Sequence, residues 1–473
     1  MTFIESFNSL FDFVDKIDKD VFFYTIIGFI TIMFIWENYL SIRQFLVEKK
    51  NKRVPNELVD VIDSVTFEKS RVYAIDKRIY NFIHGFYSQI EAYLILFLGA
   101  LPFVWNLSSR QLTALNIGFL NSEIAKSCLF IGYFMIYSQI TSIPWTIYYT
   151  FVLEEKHGFN KQTLGFFIKD QIKKFIVSIL LAMPILALLI WIIRIGGDYF
   201  FIYAWLFVTI MSLFLVLIYA DFIAPLFDKY TPLPEGDLRS KIEELAKSQN
   251  FPLYKLYVVE GSKRSVHSNA YMYGFYKSKR IVLFDTLIEG YKPALDENNK
   301  VKEEDEEEKR KNDEIKQDSD ETQKMNTSKE ENDAKNEREG KGCNTEEILA
   351  VLAHELGHWK LNHTIKQMII SQVNLFLYFI IFAALMNRQV FYSAFGFDSE
   401  KPILIGLIII IQFLFAPYNE IVSFLMTALS RRFEFQADRF ALNLGKADYL
   451  KSSLIKLQKD NLKNNKVIKN SNI

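Results

Sequence analysis

The sequence predicts an all-α, multi-pass membrane protein with a polar, zinc-binding region outside the bilayer that carries a small β-meander. Three observations predict this class. Apolar runs of membrane-spanning length recur seven times, the charged residues lie between those runs, and one polar region contains His354-Glu355-Leu356-Gly357-His358. Half of the 473 residues are hydrophobic and 15% are aromatic, yet Lys plus Arg and Asp plus Glu still number 55 each, so the charges must be segregated rather than few. No nucleic-acid partner is expected of such a balanced chain.

The runs fall at Phe22–Leu40, Phe86–Trp105, Ser127–Val152, Phe175–Ile195, Tyr199–Ile223, Ile365–Met386 and Ile403–Leu425. A large soluble helical protein would not need so many stretches near twenty residues. The first run follows an acidic segment and is succeeded by Trp36-Glu37-Asn38-Tyr39 without a small-residue cleavage site, so it reads as a span and not a signal peptide. Four regions follow: spans one to five in residues 1–223, a catalytic region at 224–363, spans six and seven in 364–427, and a helix with a polar tail at 428–473.

Basic residues orient the spans. Arg43, Lys49, Lys50, Lys52 and Arg53 follow the first, Lys169, Lys173 and Lys174 precede the fourth, and Lys446, Lys451, Lys456, Lys459 and Lys463 lie in the tail. These loops are expected in the cytosol, with the acidic N-terminus (Glu5, Asp12, Asp15, Asp18, Asp20) in the lumen and residues 224–362 on the cytosolic side. Cys128 lies in a predicted span and Cys343 in the cytosolic region, so no disulfide is implied.

Within 224–362, Leu238–Gln249 reads as an amphipathic helix after Pro232 and Pro234. Tyr254–Val259, Asn269–Phe275 and Arg280–Phe284 are rich in aromatic and β-branched residues, with turn signals between them, and predict an antiparallel meander. Glu289–Gly342 has almost no apolar residues and carries runs such as Glu303–Glu308; it cannot bury a core and is expected to be disordered. An edge strand of the meander can hydrogen-bond an extended substrate, which makes Asn269 and Tyr271 candidate contacts; ordinary strand roles fit the pattern equally well.

The chemistry lies in His354 to His358. Residues four apart share a helical face, so both imidazoles can bind one Zn²⁺ while Glu355, a step round, serves as general base toward water. The chain has six histidines, and an extended H-E-x-x-H-x-x-G-x-x-H pattern fails at Leu361 and Thr364. On a continued helix His363 would point away from the ligand pair as an unremarkable surface residue. His84, His157 and His267 read as solvated or capping. A carboxylate is therefore expected as third ligand, the gluzincin arrangement. Glu434 and Asp438, an i,i+4 pair in Ser430–Asp438, are the candidates: Glu434 as ligand, Asp438 as hydrogen-bond acceptor from a ligand histidine. An exposed acidic face balanced by Arg431, Arg432 and Arg439 is the alternative.

Several segments together carry a family resemblance. Glu154–Asn160, Ile195–Phe200, Ala224–Asp228, Ser268–Tyr271, His354–Trp359 and Phe433–Asp438 make the chain resemble the type I CaaX prenyl endoproteases, zinc metalloproteases of the endoplasmic reticulum and inner nuclear membranes. The resemblance covers nearly the whole chain. It implies seven helices around a water-filled chamber, His354, His358 and Glu434 on one Zn²⁺, Glu355 as base, Asp438 as supporting acid and Asn269 near the substrate backbone. The implied reaction removes the last three residues of farnesylated or geranylgeranylated CaaX proteins, with a second, upstream cut in prelamin A-like substrates. A site at membrane depth suits a substrate whose prenyl chain must stay among apolar groups, membrane lipid included, while its peptide reaches water. Two other readings compete: a quality-control membrane protease indifferent to lipid, and a membrane scaffold, which intact His354, Glu355, His358 and Glu434 argue against.

The family continues past this chain's end with a His-Pro-Pro segment and a basic helix, whereas here Lys463–Ile473 is polar with neither histidine nor proline. The resemblance makes that histidine an oxyanion donor, so a shortened chain is expected to bind zinc and turn over poorly unless Tyr271, His267 or another donor substitutes; an incomplete gene model or splice form, whose full-length version is active, is the alternative.

Overall fold

The computed structural model describes residues 9–55, 59, 62–115, 122–274, 278–291 and 342–461. Residues 292–341 of the charged stretch and the tail 462–473 lie outside them, and with them the expectations of disorder and of a weakened tail. The chain forms two compact units: Met1–Asn56 with Phe67–Tyr219 and His358–Gln436, and Glu57–Thr66 with Ala220–Gly357 and Ala437–Ile473.

The first unit is helical. α1 (Lys19–Lys50) starts where the Asp18 carboxylate accepts hydrogen bonds from the N–H groups of Asp20 and Val21, 2.8 and 3.3 Å away. α2 (Ser64–Phe97) bends by 61° into α3 (Ala100–Ala114) at Gly99, whose φ of +63° a residue with a side chain adopts reluctantly. α4 (Glu123–Tyr148) continues as a π-helical segment, Tyr149–Glu154, and α5 (Leu164–Ile195) leads through a short turn to α6 (Phe200–Ile218).

The second unit then intervenes with β1 (Tyr230–Pro232), α7 (Asp237–Ser248), β2 (Leu253–Val259), β3 (Ala270–Tyr273), β4 (Lys279–Phe284) and α8 (Thr345–Lys360), of which His358–Lys360 already belong to the first. α9 (His363–Leu385), α10 (Gln389–Ser393) and α11 (Ile403–Ile408) follow in the first unit. α12 (Ala416–Asn443) passes from the first into the second, where α13 (Ala447–Asp460) ends the described chain.

Four helices are long and apolar enough to cross a membrane: α1, α5, α6 with its preceding turn, and α9. Two bent pairs, α2 with α3 and Ile403–Leu414 with α12, raise the number to six among the described residues. The remaining predicted run, Ser127–Val152, lies on α4 and its π segment, where Ser127, Ser138, Gln139, Thr141 and Ser142 dilute the apolar content. Outward apolar side chains explain the medium these helices need: Leu180, Val216 and Val373 are 66, 63 and 66% exposed in the isolated chain. The interior of this unit is aromatic and aliphatic, centred on Phe130, Ile190, Phe382, Phe391, Tyr392 and Ile405.

The sheet is not the expected meander. Its order is β1-β2-β4-β3, with β2 parallel to β4 and β3 antiparallel to β4. A meander would leave β4 at an edge with half its backbone groups unpaired. Ile281, Val282 and Leu283 are at most 1% exposed, so the most apolar strand takes the central place and the chain crosses it before returning through the β3–β4 hairpin. β3 is left as an edge strand. The Ile348–Ala353 run of α8 is apolar all round, and Ile348, Ala350, Leu352, Ala353 and Leu356 are at most 1% exposed, as a helix segment buried on every side must be.

Candidate metal centre

α8 begins with a reciprocal cap. The Asn344 N–H donates to Glu347 Oε2 at 2.9 Å and the Glu347 N–H donates to Asn344 Oδ1 at 3.0 Å. Glu347, 2% exposed, also accepts from Ser452 Oγ and from Lys456 Nζ at 2.7 Å, which ties α13 to the start of the helix. Burial by itself would raise its pKa; the Lys456, Ser452 and Asn344 hydrogen bonds outweigh it and hold the carboxyl below its ordinary value. At the neighbouring Cys343 burial and the Glu347 charge outweigh the pull of Lys456, and the thiol is pushed up to about 12.

Two turns on, His354 and His358 project from one face of α8. His354 Nδ1 lies 2.8 Å from Asp438 Oδ1 on α12. The carboxylate accepts the Nδ1 proton and so leaves Nε2 with its lone pair. The close approach that permits this bond comes from Gly357: a Cβ there would sit 3.0 Å from both Ala437 Cα and Phe440 Cβ.

His358 Nε2 lies 3.7 Å from Glu434 Oε1, one turn before Asp438 on α12. His354, His358 and Glu434 each offer a ligand atom, and the three atoms lie within 4.8 Å of one another. Glu434 is the exposed member, and Glu355, next to His354, is half-buried.

His363 is the clearest correction to the sequence reading. It is 2% exposed and not a surface residue. Its Nδ1 lies 3.0 Å from His358 Nδ1, its Nε2 lies 2.9 Å from Gln436 Oε1, and its ring stacks on Phe433 with centroids 4.1 Å apart and planes 8° apart. The projection fails because α8 stops at Lys360 and Asn362 turns left-handed at φ +57°, so His363 opens a new helix and swings back. Asn362 is the signal that could have warned of this, since asparagine commonly ends helices in that conformation. His157 is also not solvated: its side chain is 8% exposed and its Nε2 lies 2.8 Å from Asp76 Oδ2.

The other candidates sit on the sheet. Asn269 is exposed just before β3, its Oδ1 accepting from the Ala270 N–H at 2.9 Å, and the Tyr271 hydroxyl meets that of Tyr230 at 3.0 Å. The loop before β3 is held by a residue with no local sequence signal, Asn461, 4% exposed at the end of α13. Its Oδ1 accepts from the Ser268 N–H at 3.0 Å and lies 3.1 Å from His267 Nδ1, while its Nδ2 donates to the Ser268 carbonyl at 3.2 Å.

The donor set suits a metal ion of borderline character. Two imidazole nitrogens and one carboxylate oxygen make a three-ligand set that leaves a fourth position open, as hydrolytic sites do. Bonds of about 2.0–2.1 Å in a tetrahedron put ligand atoms roughly 3.4 Å apart, and the 3.7 Å separation of His358 from Glu434 needs little adjustment.

Comparison with known proteins agrees with this reading. Residues 44–229 match the family model described as the CAAX prenyl protease N-terminal region with five membrane helices, and residues 232–469 match peptidase family M48. The CAAX prenyl protease 1 homolog of Homo sapiens is 54% identical over 430 residues, spanning 91% of this chain and 87% of its own. The Arabidopsis thaliana homolog is 44% identical over 441 residues, spanning 93 and 91%. The crystal structure of S. mikatae Ste24p superposes with a TM-score of 0.75 at 33% identity, covering 93% of this chain and 92% of that one. A buried H-E-x-x-H helix, a facing carboxylate pair, a membrane-spanning helical unit and matches over nine-tenths of the chain lead to one conclusion: this protein belongs to the CAAX prenyl protease family of M48 metallopeptidases.

Proposed function

We propose that this chain is a zinc metalloendopeptidase that removes the last three residues of prenylated CaaX proteins, and that it makes an upstream cut in prelamin A-like substrates. The observation that carries the reading is the His354, His358 and Glu434 cluster with Glu355 beside it, in a chain 54% identical to a CAAX prenyl protease 1 homolog. His354, His358 and Glu434 hold the ion; Asp438 orients His354 through the 2.8 Å bond. Zinc, when bound, supplies Lewis acidity and lowers the pKa of water to roughly 7. Glu355 takes a proton as water adds to the scissile carbonyl and delivers it to the departing amine. β3, an edge strand, pairs with the extended peptide, with Asn269 and Tyr271 as its contacts.

Seven helices then surround a chamber in the endoplasmic reticulum and inner nuclear membranes, with the N-terminus in the lumen and the zinc site open to the cytosol or nucleoplasm. Basic residues flanking the first and fourth spans support that orientation. The sequon Asn326-Thr327-Ser328 checks it: a glycosidase-sensitive gel shift abolished by Asn326→Gln would reverse it.

The deciding experiment offers purified protein a farnesylated CaaX peptide and its unlipidated twin, with Glu355→Gln as control. Release of the tripeptide from the farnesylated peptide alone, lost in the control, is expected. Equal cutting of both peptides would instead make the chain a general membrane protease.

A further inference from the structure

We infer that His363 is a positioning residue that sets the proton on His358, through a neutral relay running from Gln436 to the metal. The inference rests on the zinc reading above, and its observations are geometric. Three groups stand in line: Gln436 Oε1, 2.9 Å from His363 Nε2, and His363 Nδ1, 3.0 Å from His358 Nδ1. The far nitrogen of His358, Nε2, faces Glu434 at 3.7 Å.

Only one arrangement of protons satisfies this line and leaves His358 able to bind a metal. Nε2 of His358 must carry its lone pair, so its single proton sits on Nδ1 and is donated to His363. His363 must then accept at Nδ1, which puts its own proton on Nε2, where Gln436 Oε1 receives it. Turning the Gln436 amide over would present an N–H to Nε2, push the His363 proton to Nδ1 and bring it against His358. His358 would then have to accept, its proton would move to Nε2, and the ligand position would be blocked. The stack on Phe433, with 2% exposure, holds the His363 ring edge-on to His358 and excludes water as a substitute acceptor.

The two ligand histidines therefore differ. His354 leans on an anion, Asp438, whereas His358 leans on an uncharged ring. A carboxylate behind both, together with Glu434 as ligand, would add negative charge to the centre and weaken its action as a Lewis acid. A neutral acceptor orients His358 without that cost.

Two substitutions at this position separate orientation from packing, because they predict opposite rankings. His363→Phe keeps the ring, its volume and the stack on Phe433 but removes the acceptor. His363→Asn loses the stack, yet its Oδ1 can occupy the place of Nδ1 and accept from His358. Zinc affinity of the full chain, purified in detergent, is measured by competition with a chelator, alongside thermal unfolding of the zinc-free protein. His363→Phe is expected to fold with a melting temperature a few degrees lower, from the two hydrogen bonds it loses, while binding zinc about 10–100-fold more weakly; His363→Asn is also less stable, for want of the stack, yet stays within a few-fold of wild-type affinity. Wild-type affinity in His363→Phe, or equal loss in both variants, overturns it. If His363→Phe does not fold, Gln436→Lys at its half-exposed position takes its place: a donor there must lower zinc affinity, and an unchanged affinity overturns the relay. Failure of the zinc reading itself looks different, since wild type would then not retain zinc.

Discussion

Gly357→Ala offers a sensitive test of how the two helices build the site, because the substitution adds one methyl group between the histidines without touching a ligand. The new Cβ would sit 3.0 Å from Ala437 Cα and Phe440 Cβ and 3.2 Å from the Ala437 carbonyl oxygen. Unstrained carbon contacts lie at about 3.5–4.0 Å, so α8 and α12 must part by roughly half an ångström. Alanine favours a helix interior over glycine by about 1 kcal/mol, and overpacking a close contact costs about 1–3 kcal/mol. The net loss of stability is then modest, about 0–2 kcal/mol. The site is less forgiving. The 2.8 Å bond from His354 to Asp438 spans the same crossing, and the same displacement stretches it past the roughly 3.2 Å limit of a good N–H···O bond. Metal affinity should fall about tenfold or more, the effect of losing an outer partner, while the melting temperature changes by only a few degrees. Chelator competition and thermal unfolding of wild type and variant give both quantities. Wild-type metal affinity in the alanine variant would refute the claim that Gly357 sets the His354–Asp438 distance.

Glu434→Ala should lower the metal content of purified protein, Asp438→Asn should weaken affinity by about 10–100-fold, and Glu355→Gln should keep the metal but lose hydrolysis; elemental analysis with a peptide assay ranks the three. Asn461→Ala leaves the buried Ser268 N–H and carbonyl without partners, which costs about 1–3 kcal/mol and frees the segment leading into β3; if β3 holds the peptide, KM should rise more than kcat falls. The Glu347 carboxyl is held below its ordinary value, so its contribution to stability is complete above the usual glutamate range and is lost as pH falls through it and below. Glu347→Gln should therefore be less stable than wild type at pH 7, by about 1–3 kcal/mol, with the gap narrowing by pH 4 in melting curves.

What the chain reveals by itself is whatever depends on local spacing and composition. Apolar runs of about twenty residues demand a bilayer whatever their neighbours are, and the run before His354 marks a buried helix because no side of it is polar. The i,i+4 spacing of His354 with His358, and of Glu434 with Asp438, puts each pair on one helical face by geometry alone. Tertiary structure decided everything that depends on where the chain turns or on which distant segment it meets. β4 became central because its three apolar residues needed cover on both faces and partners on both edges, a demand that no local alternation expresses. His363 moved from an expected surface position to the interior because one left-handed residue, Asn362, ends the helix on which its direction was projected. Asn461 holds the Ser268 loop from 193 residues away, a pairing set by packing of α13 and invisible to any window of sequence. Periodicity is a property of neighbours along the chain, whereas the proton on a ligand histidine is settled by the hydrogen-bond partner behind it, and that partner arrives only when the chain has folded.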